Sequence, residues 1–519
     1  ACIDPGIDPP VTTTDTKTSA PPLVRVHPAD NVVVAVRALE AGAEVEIEGV
    51  RLAPSRDIPP GHKVALQPIA KGSGVIKYGE RIGSATAEIA PGEHVHSHNL
   101  ATDLREGDDY AYDPSARGEP PTPIDDGRTF RGYVRPTGRV GTRNEIWIIN
   151  TVGCVNTSAE RIARNAERML EGQPSIDGVH AFSHPYGCSQ LGDDLQDTQR
   201  VLAGLIRHPN AGGVLVMGLG CENNQLDDLL AIAGDVDQSR LRFFSAQEVE
   251  DEIEAGEQAV AELAAVMASD RREPRPLHDL TIGVKCGGSD GFSGLTANPL
   301  VGALSDEVIR RGGTVLQTEI PEMFGAERGL MNRAADEATF ERVVQLIEAF
   351  KGYFTEHDQP VYENPSPGNK EGGLTTLEEK SLGAVQKGGR SLVTGVAGYG
   401  EEAQGPGLVL INAPGNDGVS STAMAVAGAG LLLFTTGRGT PLGFPVPTLK
   451  ISSNSDLASR KPKWIDFDAG RLLSESADRE TLAHELLNHV IAVASGDKQA
   501  NNEINDYREI AIWKRGVTL

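Results

Sequence analysis

Four cysteines stand where a thiol could do chemistry: Cys154, Cys188, Cys221 and Cys286, in the contexts VGC, YGC, LGC and CGG. Each falls just after a predicted strand and beside glycine. In open α/β sheets, ligands bind outside the carboxyl ends of the strands. Four thiols at such ends are expected in or near an active site rather than in a core. As soft ligands they suit iron, zinc or an iron–sulfur cluster. No C-x-x-C spacing is present, so a zinc ribbon is not indicated, and any shared metal requires the thiols to converge from separate strands.

Residues 281–294 read TIGVKCGGSDGFSG. Cys286, Ser289, Asp290 and Ser293 sit here on a nearly bare backbone. Glycine sacrifices packing and conformational entropy, so something is expected to come close to the chain. Cys286 and Asp290 are candidate metal ligands and Ser289 a candidate substrate contact. Together with Cys286, the thiols Cys154, Cys188 and Cys221 complete the expected metal set.

GEHVHSHN places His94, His96 and His98 at alternate positions, one face of a strand. Three imidazoles on that face could ligate a metal or bind an anion. His62 and Lys63 in GHKVAL and Tyr78 in IKYGERIG add proton-transfer candidates in the same segment. NPSPGNKEGG carries Asn364, Ser366, Asn369 and Lys370 in a turn-rich loop opening a helix, an anion-binding context. FTTGRGTPLG offers Thr435, Thr436, Arg438 and Thr440 at a strand end, and APGNDG offers Asn416 and Asp417 in an equivalent place. The Arg438 fork matches a carboxylate. Asn369, Lys370 and Thr436 join the substrate set. No G-x-G-x-x-G after a first strand and no Walker lysine motif supports nucleotide use.

The elements that must position these residues fall into blocks. Residues 1–22 are rich in Thr, Pro and Asp and read as a disordered tail without the apolar core of a secretory signal. Residues 23–100 read as short alternating strands separated by Gly, Pro and Asp. Residues 101–127 read as a linker. From residue 128 strands alternate with amphipathic helices, as in EIWIINTVGC followed by SAERIARNAERMLEG, so a parallel sheet with covered faces is expected over 128–275. A second α/β block runs from 276 to 519. The fold class is therefore α/β with a small β domain in front.

The chain has 519 residues and a formal net charge of −25. That excludes a basic nucleic-acid footprint, and no apolar run reaches the ~20 residues of a membrane span. A reducing cytoplasm is the expectation from unpaired cysteines.

The motifs HPADNVVVAV, GHKVAL, VIKYGERIG, GEHVHSHN, VGTRNEIWIINTVGCVN, SHPYGCSQLGDD, VMGLGCENNQ, CGGSDGFSGLTANP, PEMFGAE, ENPSPGNKEGG, TTGRGTPLG and KWIDFDAG resemble the altronate/galactarate dehydratase family. The resemblance runs from about residue 23 to the C-terminal GVTL. It implies a SAF-type β-clip domain, a middle domain used in dimerisation and a C-terminal Rossmann-like domain. It implies a hydro-lyase that uses Fe2+, with Mn2+ as a substitute, and converts D-altronate to 2-dehydro-3-deoxy-D-gluconate. The sulfolactate sulfo-lyases of the wider group offer the same enolate chemistry with sulfite leaving. A homodimer and a small sugar-acid substrate follow from the resemblance. Galactarate dehydratase lacks the HVHSHN histidines but keeps the glycine–cysteine motifs, which makes His94, His96 and His98 substrate-specific and Cys188, Cys221 and Cys286 shared. On this basis His62, Lys63, Tyr78 and Arg438 are the expected catalytic set, with the small domain closing over the site.

Overall fold

The computed structural model describes residues 21–104, 110–116, 119–474 and 478–516. The expected disordered tail lies, except for residues 21 and 22, outside them.

The N-terminal segment forms small antiparallel sheets. Leu23–Val24, Val32–Ala35, Lys63–Ala65 and His94–Val95 make one, and Gly74–Lys77, Glu80–Ala85 and Leu100–Ala101 another. Strands of two to six residues suit a sequence broken so often by Gly, Pro and Asp. Their apolar positions meet in two small cores, one around Val75, Ile82 and Val95, the other around Val33, Leu52 and Val64.

The middle segment builds a parallel sheet in the order Gly178–Phe182, Glu145–Asn150, Ala211–Gly218, Leu241–Ser245. The two central strands are buried along nearly their whole length with apolar interiors, as two covered faces require. Helices Asn156–Met169 and Glu252–Met267 seal one face with Ile162, Val260 and Leu263. Helix Gly192–Ile206 covers the other and continues into the core of the C-terminal unit.

That unit carries a seven-stranded parallel sheet: Val393–Ala397, Gly407–Ile411, Thr314–Gln317, Thr281–Cys286, Leu431–Thr436, Thr448–Ser452, Phe467–Asp468. Thr281–Cys286, first in sequence, lies in the middle. The chain works outward on one side, returns, and continues on the other side from Leu431. The strand order therefore reverses beside Cys286, where a doubly wound sheet opens a crevice at its carboxyl edge.

The stretch expected to be a linker is tied to this unit. Thr102 and the Asp103 N–H bond the Glu378 carboxylate, Tyr110 donates to Glu327 Oε1 at 2.7 Å, and Asp126 pairs with Arg311 at 2.6 Å.

The small domain docks on the C-terminal unit through backbone. A Cβ on Gly291 or Gly373 would run into the Gly61 carbonyl, and one on Gly294 into the Tyr78 hydroxyl. Within the bare 286–294 backbone, Gly291 and Gly294 make room for a neighbouring domain, while Cys286, Gly287 and Gly288 line a cavity. Alongside, Glu379 takes Lys63 and Lys77, each at 2.8 Å, and Lys63 Nζ also donates to the Gly373 carbonyl at 2.8 Å. All three side chains are buried. Burial opposes the Glu379 charge, but the two ammonium groups overcome it and hold its pKa below the usual carboxylate range. Burial pulls Lys63 down to about 8, whereas at Lys77 burial is outweighed by the Glu379 carboxylate and the pKa rises.

Removing one partner of a buried charge set strands the others. Glu379→Ala is expected to destabilise the docked protein by about 3–5 kcal/mol, read by urea denaturation. A loss below about 1 kcal/mol would show that the triad does not hold the domains together.

Candidate active site

The strand Thr281–Cys286 ends in two residues of opposite use. Lys285 and Cys286 are both buried at the carboxyl end of the strand, and Cys286 lines the crevice. Glu319 and Glu322 follow the neighbouring strand Thr314–Gln317. Glu319 adopts a left-handed backbone, φ 70° and ψ 54°, a conformation that costs a non-glycine residue and persists where surroundings impose it. It lets Glu319 Oε2 accept the Cys286 N–H at 2.9 Å.

Three lysines enclose these acids. Lys387 Nζ lies 2.8 Å from Cys286 Sγ and 3.3 Å from Glu319 Oε2. Lys380 Nζ donates to Glu322 Oε1 at 2.8 Å and to the side-chain oxygens of Asn364 at 3.0 Å and Asn369 at 3.2 Å. Lys285 Nζ sits 3.1 Å from Glu319 Oε1 and 2.6 Å from Asp417 Oδ1. Cys286 Sγ donates to Glu322 Oε2 at 3.2 Å. Burial, reinforced by the Glu319 carboxylate, pushes the Cys286 thiol up to about 12. For Lys380, burial opposes the charge but Glu322 prevails, so the ammonium is held protonated. Burial of Glu322 is likewise overcome by Lys380 and Lys387, which keep it ionised.

Cys286, Glu319 and Glu322 each offer one ligand atom, and these lie within 4.8 Å of one another. Glu319 Oε1 is buried and, although paired with Lys285, accepts no hydrogen bond. A thiol, two carboxylates and an open lone pair in one dry place fit a divalent metal ion. The thiol would lose its proton on ligation. Above this set opens a cavity of about 460 Å³, lined on the polar side by Asn364, Ser366, Asn369, Lys380, Asn416 and Asp417. Phe350, Tyr353, Phe354 and Trp513 form its apolar wall. The volume lies in the range of small-molecule sites.

The sequence-based candidates divide between two sides of the helical turn Pro367–Glu371. Asn369 faces the cavity and also donates to the Ser289 carbonyl at 2.8 Å. On the other side, His96 Nε2 lies 2.9 Å from the Lys370 carbonyl oxygen and His62 Nε2 lies 3.1 Å from that of Glu371. Arg438 pairs with the Glu371 carboxylate at 3.2 Å and is exposed. His62, His94, His96 and His98 cluster, with ring centroids 5.1–5.5 Å apart, and Arg56 reaches His94 and His98. Strand alternation does not explain this. The strand ends at Val95, and the chain turns so that the Asn99 N–H bonds the His96 carbonyl. Lys63 and Tyr78 are packed into the domain interface.

Asp290 is spent on structure. Its carboxylate accepts from Ser293, Ser453, Asn454 and the Phe292 N–H, and burial raises its pKa. Thr436 Oγ1 accepts the Gly439 N–H. Cys154, Cys188 and Cys221 are exposed in the turns beyond the middle sheet, outside the Cys286–Glu319–Glu322 set that could hold a metal ion. The reading from sequence passed over Glu319, Glu322, Lys285, Lys380 and Lys387. A signal existed: a lysine inside an apolar strand, two acids straddling Ile320 and Pro321 just after another, and lysines seven apart, two helical turns on one face.

Comparison with known proteins now decides the lineage. The model of the D-galactarate/altronate dehydratase C-terminal domain matches residues 277–518, that of the D-galactarate dehydratase/altronate hydrolase second domain matches 132–268, and that of the altronate/galactarate dehydratase SAF domain matches 21–103. The chain belongs to the altronate/galactarate dehydratase family. It is 51% identical to altronate dehydratase of Escherichia coli (strain K12) over 496 residues, 96% of this chain and 99% of that protein. It is 49% identical to altronate dehydratase of Bacillus subtilis (strain 168), with the same coverage. Galactarate dehydratase (L-threo-forming) of Escherichia coli (strain K12) is 35% identical over 92% of this chain and 93% of its own length. Dehydratases of this family and the resemblance read from the motifs thus agree. Among the described residues no helix is long and apolar enough to cross a membrane.

Two outcomes follow from the geometry. Glu322→Gln is expected to weaken Mn2+ binding at least roughly tenfold, measured by equilibrium dialysis; unchanged affinity would remove Glu322 from the ligand set. Burial and the surrounding cations hold His94 at about 3 and His96 at about 4, against 6.5 when unfolded. Because these folded values are depressed, stability is full above pH 6.5 and falls as the pH drops toward 4. In His94→Gln/His96→Gln the midpoint of thermal unfolding should lose part of that acid slope.

Proposed function

We propose that this chain dehydrates D-altronate to 2-dehydro-3-deoxy-D-gluconate and water at the Cys286 cavity. The observation that carries the reading is the buried Cys286–Glu319–Glu322 set, ringed by Lys285, Lys380 and Lys387, at the floor of a polyol-sized cavity. The curated relatives named altronate dehydratase, about half identical along the chain, set the substrate class.

A hydrogen beside a carboxylate is a very weak acid, and its removal needs positive charge fixed where the enediolate forms. Three buried ammonium groups provide that field. Fe2+ is the metal we assign to Cys286, Glu319 and Glu322; when bound it supplies a Lewis acid for the developing oxyanion. Asn364, Asn369 and Asn416 offer amides that match the hydroxyls of an extended sugar acid. Asp417, the acid of this group with side-chain solvent contact, receives the proton from C2 while Lys285 holds its other face. Lys380, kept protonated by Glu322, returns a proton to the departing 3-hydroxyl. The aromatic wall lowers the local dielectric on its side of the cavity, which strengthens the nearby charges.

His62 and His96 act through the loop they hold. By fixing the carbonyls of Glu371 and Lys370 they set where Asn369 enters the cavity. This gives the histidines a positioning role and makes the small domain part of the site.

The test is an anaerobic assay with Fe2+ and thiol on D-altronate, D-mannonate, galactarate and sulfolactate in parallel, scoring 2-keto-3-deoxy acid and sulfite. Altronate turnover is expected. Turnover confined to another acid would replace the substrate, and none with metal bound would overturn the reading. Lys380→Met and Asp417→Asn should each lower kcat by about 10²–10⁴ with the fold intact; a variant keeping its kcat would lose its role.

A further inference from the structure

The thiols of the middle sheet take no part in the Cys286 cavity. Cys154, Cys188 and Cys221 follow the strands Glu145–Asn150, Gly178–Phe182 and Ala211–Gly218, which are immediate neighbours in the sheet and run parallel. All three therefore emerge at one carboxyl edge. All three are exposed.

The turns that carry them are locked to one another. The Gly153 N–H bonds the Tyr186 carbonyl at 2.9 Å, and the Asn224 N–H bonds the Gly187 carbonyl at 3.0 Å. Asn224 Nδ2 donates to the Thr151 carbonyl at 2.8 Å, and the Ser189 N–H to Asn223 Oδ1 at 2.7 Å. A Cβ on Gly153 would meet the His184 carbonyl at 2.7 Å, and one on Gly187, at φ +98°, would strike the Thr151 carbonyl. Ser189, next to Cys188, is held left-handed at φ 57°. Such strain is kept where a side chain must be aimed. Glu222, the carboxylate woven into these turns, is consumed by Thr151 and by the N–H groups of Leu219 and Gly220. The thiols themselves have only weak partners: Ser189 Oγ at 3.7 Å from Cys188 and Gln247 Nε2 at 3.6 Å from Cys221.

Adjacent strands lie about 4.8 Å apart, so the turns that carry the thiols leave three strand ends lying side by side across roughly 10 Å. The three do not form a set within 4.8 Å of one another, the closeness a single shared ion needs. That spread suits a larger inorganic core. Thiolates at a rigid, accessible edge, without a fourth protein ligand among those consumed or buried around them, select iron bridged by sulfide.

We infer that Cys154, Cys188 and Cys221 hold an iron–sulfur cluster in which one iron is left free of protein ligand. That iron faces solvent and can take an oxygen donor such as a hydroxyl or carboxylate of a small acid. None of the three thiols lines the Cys286 cavity or joins the Cys286 set, and the assignment does not depend on which substrate that cavity turns over.

The full chain is incubated without oxygen with Fe3+, sulfide and an excess of thiol, which reduces part of the iron to Fe2+ and is itself oxidised to disulfide, then desalted and analysed for iron and acid-labile sulfide per chain and for the electron paramagnetic resonance of the reduced form. Wild type and Cys286→Ser are expected to retain sulfide-bound iron and the signal. Cys154→Ser/Cys188→Ser/Cys221→Ser is expected to lose both. Because the three thiols are exposed, its metal-free thermal unfolding should match that of wild type; if it does not, the single variants serve, each expected to lose the signal. Wild type that retains no acid-labile sulfide, or a triple variant that retains as much as wild type, overturns the inference. Altronate turnover is scored separately, so failure here leaves the Cys286 reading standing and failure there leaves this one.

Discussion

The placing of the loop 366–373 at the rim of the Cys286 cavity depends on two backbones touching. Gly61 of the small domain lies against Gly291 and Gly373 so closely that none of these has room for a side chain. That contact brings His62 and His96 to the loop at 366–373 and brings Lys63 and Lys77 onto Glu379. Apolar packing alone would not fix such a register, because hydrophobic contacts are non-directional. The buried ion triad and the carbonyl contacts are directional, and they select one docking pose.

A similar economy of charge governs the cavity floor. Lys285, Lys380 and Lys387 face Glu319, Glu322 and Asp417, all but the last fully or nearly buried. Buried charges are tolerable only when paired, so the cluster is nearly neutral while its local field is strong. A metal ion would add charge at a point where one carboxylate oxygen still has a lone pair to give. The glycines at 287 and 288 serve this floor as well: a Cβ on Gly287 would press on Phe434 and on the Asp417 carboxylate at 2.7 Å.

Much of the architecture was legible before any coordinates. The period-two runs broken by Gly and Pro gave a β domain, and alternating strands and helices gave two parallel sheets. The motifs carried the family. Placing the cysteines after strands was also sound: Cys286 closes Thr281–Cys286, and the others occupy turns beyond their strands. The polar, Pro-rich composition of 101–127 reports missing regular structure, not missing contacts; Tyr110 and Asp126 are firmly tied.

What the sequence determined by itself was therefore local: which segments are strands or helices, where the glycines free the backbone, and which residue types could do chemistry. Which of those residues meet was decided only by tertiary structure. Four cysteines look alike along the chain, yet Cys286 belongs to one sheet and Cys154, Cys188 and Cys221 to another. Asp290 looks like a ligand until Ser453 and Asn454, far along the chain, consume its oxygens. Glu319 and Lys387 look ordinary until the order of strands sets them beside a thiol. The physical reason is that burial and charge pairing are properties of neighbours in space, and the neighbours are chosen by sheet order and domain docking, which local sequence does not encode.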